Sequence, residues 1–198
     1  MTIIAVKKAV RVKRLLVILA LCSGALWAEA LVYFGAGGIA TTEVFTVKNP
    51  GQTEQERSTL FTAGQLKAGY GDIRAYAVEV NLGYGRYDKN IFSYKDSDYV
   101  YFDLSMIKAF DFGIGFYPFF KLGFGAGELG LSRTLANSIS SGSFFGGLGA
   151  YVPLGYGFDL ELSVIYRNKN WEGLDMIGDE VKSDSYLFEP YFGLNYRF

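Results

Sequence analysis

The last thirteen residues alternate without a break. Tyr186, Phe188, Pro190, Phe192, Leu194, Tyr196 and Phe198 fall on one face, and Leu187, Glu189, Tyr191, Gly193, Asn195 and Arg197 on the other. A period of two is the mark of a β-strand. The same pattern recurs upstream. Between Arg74 and Arg86, Tyr76, Val78, Val80, Leu82 and Tyr84 oppose Ala75, Ala77, Glu79, Asn81, Gly83 and Gly85. Between Gly157 and Arg167, Phe158, Leu160, Leu162, Val164 and Tyr166 oppose Asp159, Glu161, Ser163, Ile165 and Arg167. Helical periodicity is hard to find, and no segment after residue 30 offers the ~18 consecutive apolar residues of a membrane helix.

Eight such segments can be read: Leu31–Ala40, Leu60–Gly71, Arg74–Arg86, Tyr99–Tyr117, Phe119–Leu129, Ser143–Val152, Gly157–Arg167 and a last one over 185–198. In the second, Leu66, Ala68 and Tyr70 oppose Gln65, Lys67 and Gly69. In the fifth, Phe120, Leu122 and Phe124 oppose Lys121, Gly123 and Gly125. Four connections are long and polar, at 41–59, 87–98, 130–142 and 168–184. The others are short: Asp72-Ile73, a turn around Pro118, and Pro153–Tyr156. Long loops at one end, tight turns at the other and an even strand number describe an up-and-down transmembrane barrel with both termini at the turn end. Each strand reaches the ~9–11 residues that a tilted membrane strand needs.

A soluble ligand barrel also alternates, with its apolar face inward. The interior of an eight-stranded barrel is just wide enough for side chains. Large aromatics from every strand would not all fit there, whereas Gly, Ala, Ser and a few paired charges would. The expectation is therefore an outward aromatic and aliphatic coat, which lipid tolerates and water does not. Closure pairs every backbone polar group, as hydrocarbon demands. Tyr70, Tyr76, Phe116, Tyr117, Phe120, Phe158, Phe192, Tyr196 and Phe198 lie near the turns, where an interfacial girdle belongs.

The N-terminus reads as an address. Lys7, Lys8, Arg11, Lys13 and Arg14 precede an apolar run from Leu15 to Trp27, which closes on Ala28-Glu29-Ala30. This is the layout of a secretory signal peptide cleaved after Ala30, and the run is too short for a spanning helix. Leu21 stands before Cys22, where a lipoprotein signal wants a small residue. The expected organisation is a signal peptide, 1–30, and a barrel domain, 31–198. Removing the signal turns a net charge of −1 into −5 and takes away the single Cys.

The terminal Phe198, with Tyr196, Leu194 and Phe192 at every second position before it, resembles the C-terminal signature of Gram-negative outer-membrane proteins. The whole chain after residue 30 resembles the small OmpA/OmpX-type barrels. The resemblance implies an outer-membrane location with periplasmic termini, and a barrel-assembly machinery that reads Phe192, Leu194, Tyr196 and Phe198 during biogenesis. The other partners expected are outer-membrane lipid and a surface partner of the four long loops.

The chemistry implied is sparse. The chain has no His, which removes Ser-His and Cys-His nucleophile pairs and imidazole proton shuttles. Some small outer-membrane barrels modify lipid A, but that chemistry leans on a His in the families known. The expectation is no enzyme and no cofactor. Near-neutral charge argues against nucleic acid. The run Gly125-Ala126-Gly127-Glu128-Leu129-Gly130 matches a dinucleotide fingerprint but has no βαβ unit around it. Asp175, Asp179 and Glu180 have no calcium-loop spacing.

What remains is the inward face: Lys67, Glu79, Asp103, Lys121, Glu161, Arg167, Glu189 and Arg197. Buried charges must pair or neutralise. The eight are expected to form a polar network that seals the barrel, the alternative being a narrow pore or conduit for small or hydrophobic solutes. Trp171, Tyr94, Phe92, Ile139, Leu174 and Met176, in the segments read as loops, either mark a partner-binding face or extend strand pairing above the membrane.

Two residues fit less easily. Pro190 removes a ladder donor mid-strand. It falls near the outer edge of the ~25 Å apolar band, where a bulge is expected. Lys108 faces outward on the fourth strand. A turn at Pro118 lets it snorkel to the loop-side interface, and this is the favoured reading. A turn at Ala109–Asp111 puts it at the turn-side interface and leaves Pro118 inside a strand.

Overall fold

The computed structural model describes residues 31–48, 55–72, 74–88, 98–130, 138–176 and 179–198. The signal-peptide reading of residues 1–30 lies outside the described residues. Eight strands follow in chain order: β1 Leu31–Lys48, β2 Gln55–Gly71, β3 Tyr76–Tyr87, β4 Asp98–Ala109, β5 Tyr117–Gly130, β6 Ser138–Gly155, β7 Phe158–Met176 and β8 Asp179–Arg197. Each pairs antiparallel with its neighbours, and β8 closes on β1. No helix occurs among the described residues.

Burial follows the alternation. Along β3 and β4 every second residue is buried. The outward row of β3 includes Val78, Leu82 and Tyr84, and that of β7 Leu162, Val164 and Tyr166; all are exposed. Such a coat on a closed wall is a lipid-facing surface.

The interior departs from the expectation in one respect. It is not only small and polar: Tyr33, Phe45, Phe61, Tyr87, Tyr99, Tyr101, Phe119, Phe145, Tyr151, Trp171 and Tyr191 are all buried. They fit because glycines face them. The Tyr33 ring lies against Gly69, Tyr101 against Gly83, Tyr99 against Gly127, Phe145 against Gly123, and Tyr191 against Gly37 and Gly193. Each missing side chain makes room for a ring, from the adjacent strand in every case but Gly193, which shares β8 with Tyr191. Tyr117, expected in the outer girdle, instead packs on the inner cluster around Tyr33, Phe119 and Tyr151.

The β4–β5 turn lies elsewhere than expected. β4 ends at Ala109, and the connection is 110–116, so Pro118 is the second residue of β5. Phe110, Phe112, Ile114 and Phe116 alternate with Asp111, Gly113 and Gly115, which imitates a strand in sequence. Gly113 and Gly115 adopt φ of +68° and +85°, a left-handed backbone that no strand continues. Pro118 costs little at a strand start, and its carbonyl accepts the Phe110 N–H at 2.9 Å. Lys108 therefore sits at the turn end, beside Tyr76 of β3.

Pro190 makes no bulge. It stays in register with Val164 of β7. The β1–β8 pairing lapses between Ile39–Tyr191 and Glu43–Leu187 and resumes in the same register. Pro has no N–H to give, and the Thr41 hydroxyl bonds the Phe188 carbonyl in this gap.

Several strands run farther toward the loop side than expected. β1, β2, β6, β7 and β8 take up much of 41–59, 130–142 and 168–184. Trp171 and Ile139 are consequently buried inside the barrel, not displayed on loops, and Leu174 and Met176 lie in β7. Phe92 and Tyr94 lie outside the described residues. The outward row turns polar here (Asn168, Asn170, Asp184), so amphipathic contrast fades while strand pairing continues.

Inside and outside predict opposite substitutions at neighbouring positions of β3. Leu82→Arg on the lipid face should cost about 2–4 kcal/mol near the midplane. Gly83→Val should cost about 1–3 kcal/mol by overpacking against the Tyr101 ring. Urea unfolding in lipid vesicles reads both; equal tolerance of Leu82→Arg and Leu82→Ile would remove the lipid-facing assignment.

Candidate functional site

Every charged residue expected on the inward face is in the interior, and the strands sort them into tiers. The first tier is a ring of alternating charge. Lys67 of β2 pairs with Glu161 of β7 and lies 3.5 Å from Glu79 of β3. Lys121 of β5 lies 2.8 Å from Glu79 and 3.1 Å from Glu161. All four are buried. Adjacent strands bring Glu79 and Lys67 close; Glu161 and Lys121 reach in across the barrel. The Tyr33 hydroxyl donates to Glu79 at 3.0 Å, and the Asn195 amide donates to Glu161 at 3.1 Å. The Lys67 ammonium also lies 4.5 Å from the Tyr191 ring centroid. Neutralising neighbours on both sides let two Lys and two Glu persist away from water.

The second tier centres on Arg167. Its Nη1 and Nη2 each donate to Asp103 at 2.8 Å, a bidentate fork. Its Nε donates to Glu189 at 2.7 Å, and Ser143 accepts at 3.0 Å. The planar guanidinium uses its donors on two carboxylates at once, a geometry Lys cannot copy. The Phe145 ring centroid lies 4.4 Å from the guanidinium carbon.

Arg197 joins neither tier. It pairs with Asp159 at the turn end, with Nη2 to Oδ1 at 2.7 Å. Asp159 is fully buried, and Arg197 is the more open partner. The expected set of eight is thus three separate groups, and Asp159 was missing from it although it shares the inward row of β7.

A further tier was missed because it falls in segments read as loops. Lys169 of β7 donates to Glu43 of β1 at 2.8 Å and to the Tyr87 hydroxyl at 3.2 Å. Ser185 donates to Glu43 at 2.5 Å and accepts the Trp171 indole N–H at 2.8 Å. Rings of Phe61, Tyr99 and Trp171 surround the ammonium, with centroids at 4.9, 4.5 and 5.7 Å. The signal was present: Glu43 and Phe45, like Lys169 and Trp171, continue the inward row by steps of two.

Apolar clusters bracket the first two tiers. Tyr33, Ala77, Ile107, Ala109, Phe119 and Tyr151 close the turn side. Phe45, Phe61, Tyr87, Tyr99, Leu129, Ile139, Trp171 and Leu187 are among those closing the loop side. Gly125 to Gly130, the fingerprint-like run, lies within β5. No group of His, Cys, Asp and Glu with metal-binding geometry occurs among the described residues. An open depression of about 1150 Å³ crosses the outer wall, where Gly38, Ala40 and Gly64 leave low ground between Tyr84 and Phe192. Its exposed lining is lipid-facing and separate from the ionic interior. Phe192, Leu194, Tyr196 and Phe198 are all exposed along the outer face of β8.

No protein-family model matches the chain, and no curated protein matches it. Solved structures do. The outer membrane protein OprG from Pseudomonas aeruginosa is 18% identical over 86% of this chain and 96% of its own, with a TM-score of 0.52. Outer membrane protein AlkL, solved in DMPC lipid bilayers, is 16% identical over 87% of this chain and 92% of its own, with a TM-score of 0.51. The outer membrane enzyme PagL is 16% identical over 79% and 97%, with a TM-score of 0.45. At this identity the likeness speaks to fold. The fold is that of the small eight-stranded outer-membrane β-barrels.

Removing one carboxylate from the alternating ring should be costly. Glu161→Gln leaves Lys67 and Lys121 sharing Glu79, and the expected loss is about 3–5 kcal/mol of unfolding free energy. Lys67→Met in the same background should recover part of it. A Glu161→Gln variant as stable as the wild type in urea would contradict the buried ring.

Proposed function

We propose that this chain is a non-enzymatic outer-membrane barrel, sealed inside, that works through its loop-side rim and its lipid contacts. The observation that carries this reading is the stacking of the interior: paired charges in the middle, an apolar cluster toward each end. A solute crossing the barrel would have to separate buried ion pairs and displace packed rings.

The outer-membrane location, with termini in the periplasm, is supported by the fold and by the lipid-facing coat. The sequence 1–30 supplies the export signal in this reading. Phe192, Leu194, Tyr196 and Phe198 stand outward on β8, available to the barrel-assembly machinery during insertion. The segments 41–59, 87–98, 130–142 and 168–184 present the contact surface for a partner, their described parts being strand extensions. The absence of His from the chain weighs against lipid hydrolysis by an imidazole base. Fold does not decide that question, since one fold hosts many activities.

One observation favours the narrow pore as a second reading. Lys67 and Lys121 each touch both Glu79 and Glu161. Cations with two partners in reach can exchange between them without losing all their pairing.

Planar-bilayer recording separates the two. The refolded barrel should be silent, and Glu161→Gln and Arg197→Gln should be equally silent. Reproducible conductance steps that change with either substitution would overturn the sealed reading.

A further inference from the structure

We propose that the turn end of the outer wall carries a glycerophospholipid site, in which the Lys108 ammonium takes the headgroup phosphate and the 110–116 turn lies at the headgroup–acyl boundary. The proposal rests on the membrane-spanning reading of the chain.

Lys108 is the penultimate residue of β4 and points outward. Tyr76 of β3 and Phe120 of β5 flank it on its row. Its Nζ lies 3.9 Å from the Tyr76 ring centroid and 5.4 Å from that of Phe110. The rings hold the ammonium by their electron-rich faces, but they do not neutralise it. Among the described residues no carboxylate forms an ion pair with Lys108, whereas Lys67, Lys121, Arg167, Lys169 and Arg197 inside the barrel all have one. A cation left on a lipid-facing wall draws an anion to itself. The anion at that depth is the lipid phosphate.

The adjoining turn points to the same occupant. Phe112 and Ile114 are 65% and 55% exposed. Phe110 stacks on Phe112, with centroids 5.9 Å apart and planes at 4°, and its centroid is 6.1 Å from that of outward Phe120. The aromatic surface of the turn is thus continuous with the lipid-facing coat. The interior beneath is already closed by Tyr33, Phe119 and Tyr151, so these rings are not a lid. Asp111 accepts the Gly113 N–H at 2.9 Å within its own turn. Apolar rings beside a single cation suit a molecule with acyl chains and one phosphodiester.

The test is native mass spectrometry of the folded barrel, with folding checked by gel mobility before and after heating. The probes are dioleoylphosphatidylglycerol, dioleoylglycerol and inorganic phosphate. The expected result is one retained phosphatidylglycerol adduct and none of dioleoylglycerol. Lys108→Gln should lower adduct occupancy about fivefold by removing a charge-assisted contact, and Lys108→Arg should retain it. The double variant Phe112→Ser, Ile114→Ser should also lower occupancy.

An adduct unchanged in Lys108→Gln overturns the site. So does an adduct unchanged in the double turn variant, or one abolished by millimolar inorganic phosphate, which marks a free-anion site. Absence of any adduct on a correctly folded wild-type barrel removes the lipid reading and leaves a protein partner for the exposed turn. A chain that shows no heat-modifiable barrel fails earlier, at the membrane-spanning reading itself.

Discussion

In hydrocarbon a backbone N–H or C=O has no water to turn to. That constraint forces the β8–β1 closure, and the rest of the structure follows from it. A closed wall of eight strands fixes the interior width, so the inward residues must fill a set volume. Here the filling is done by laying rings over glycines paired with them on the adjacent strand. Tyr33 over Gly69 and Tyr101 over Gly83 are two cases. The glycines that sequence composition makes conspicuous are therefore packing partners of the inner aromatics, not simply a thin lining. Pro190 shows how local the constraint is. One missing donor opens three positions of the β1–β8 ladder, and a Thr41 hydroxyl takes up one freed carbonyl.

The same closure governs the charges. An ion in a narrow lumen cannot reach bulk water, so it persists only with a partner in reach. The tiers are arranged so that each cation meets a carboxylate from a different strand. Arg167 of β7 draws in Asp103 of β4 across the barrel as well as Glu189 of its neighbour β8. Such links tie sequence-distant strands together where no disulfide can, since the chain has a single Cys. Removing one member leaves its partner charged and buried, which is why the penalty exceeds the net worth of the pair.

The fold was legible because amphipathic contrast is strongest in the membrane. There the outward residues are apolar and the inward ones small, charged or ring-over-glycine. Above the apolar band Asn168, Asn170 and Asp184 replace the outward hydrophobics, so the contrast vanishes although pairing continues. That is why Glu43 and Lys169 were missed and why Trp171 and Ile139 were assigned to loops. The misplaced turn at Pro118 has the opposite cause. Phe110 to Phe116 keep a perfect alternation where the backbone turns left-handed at Gly113 and Gly115. Periodicity reports which side chains want lipid, and a turn lying on lipid gives the same report as a strand crossing it.

The two ends of the molecule meet the edge of the membrane differently. At the loop end the outward rows become polar while the strands extend, so the wall rises into water with its inner rings packed. At the turn end, the aromatic character runs past the strand ends into 110–116 and stays exposed. Both are departures from a minimal barrel, which needs neither taller strands nor a seven-residue apolar turn to close. Lipid solvation explains the coat and packing explains the lumen. Closure alone requires neither addition: the turn aromatics carry the lipid-facing coat past the strand ends, and the tall strands carry the packed lumen above the apolar band.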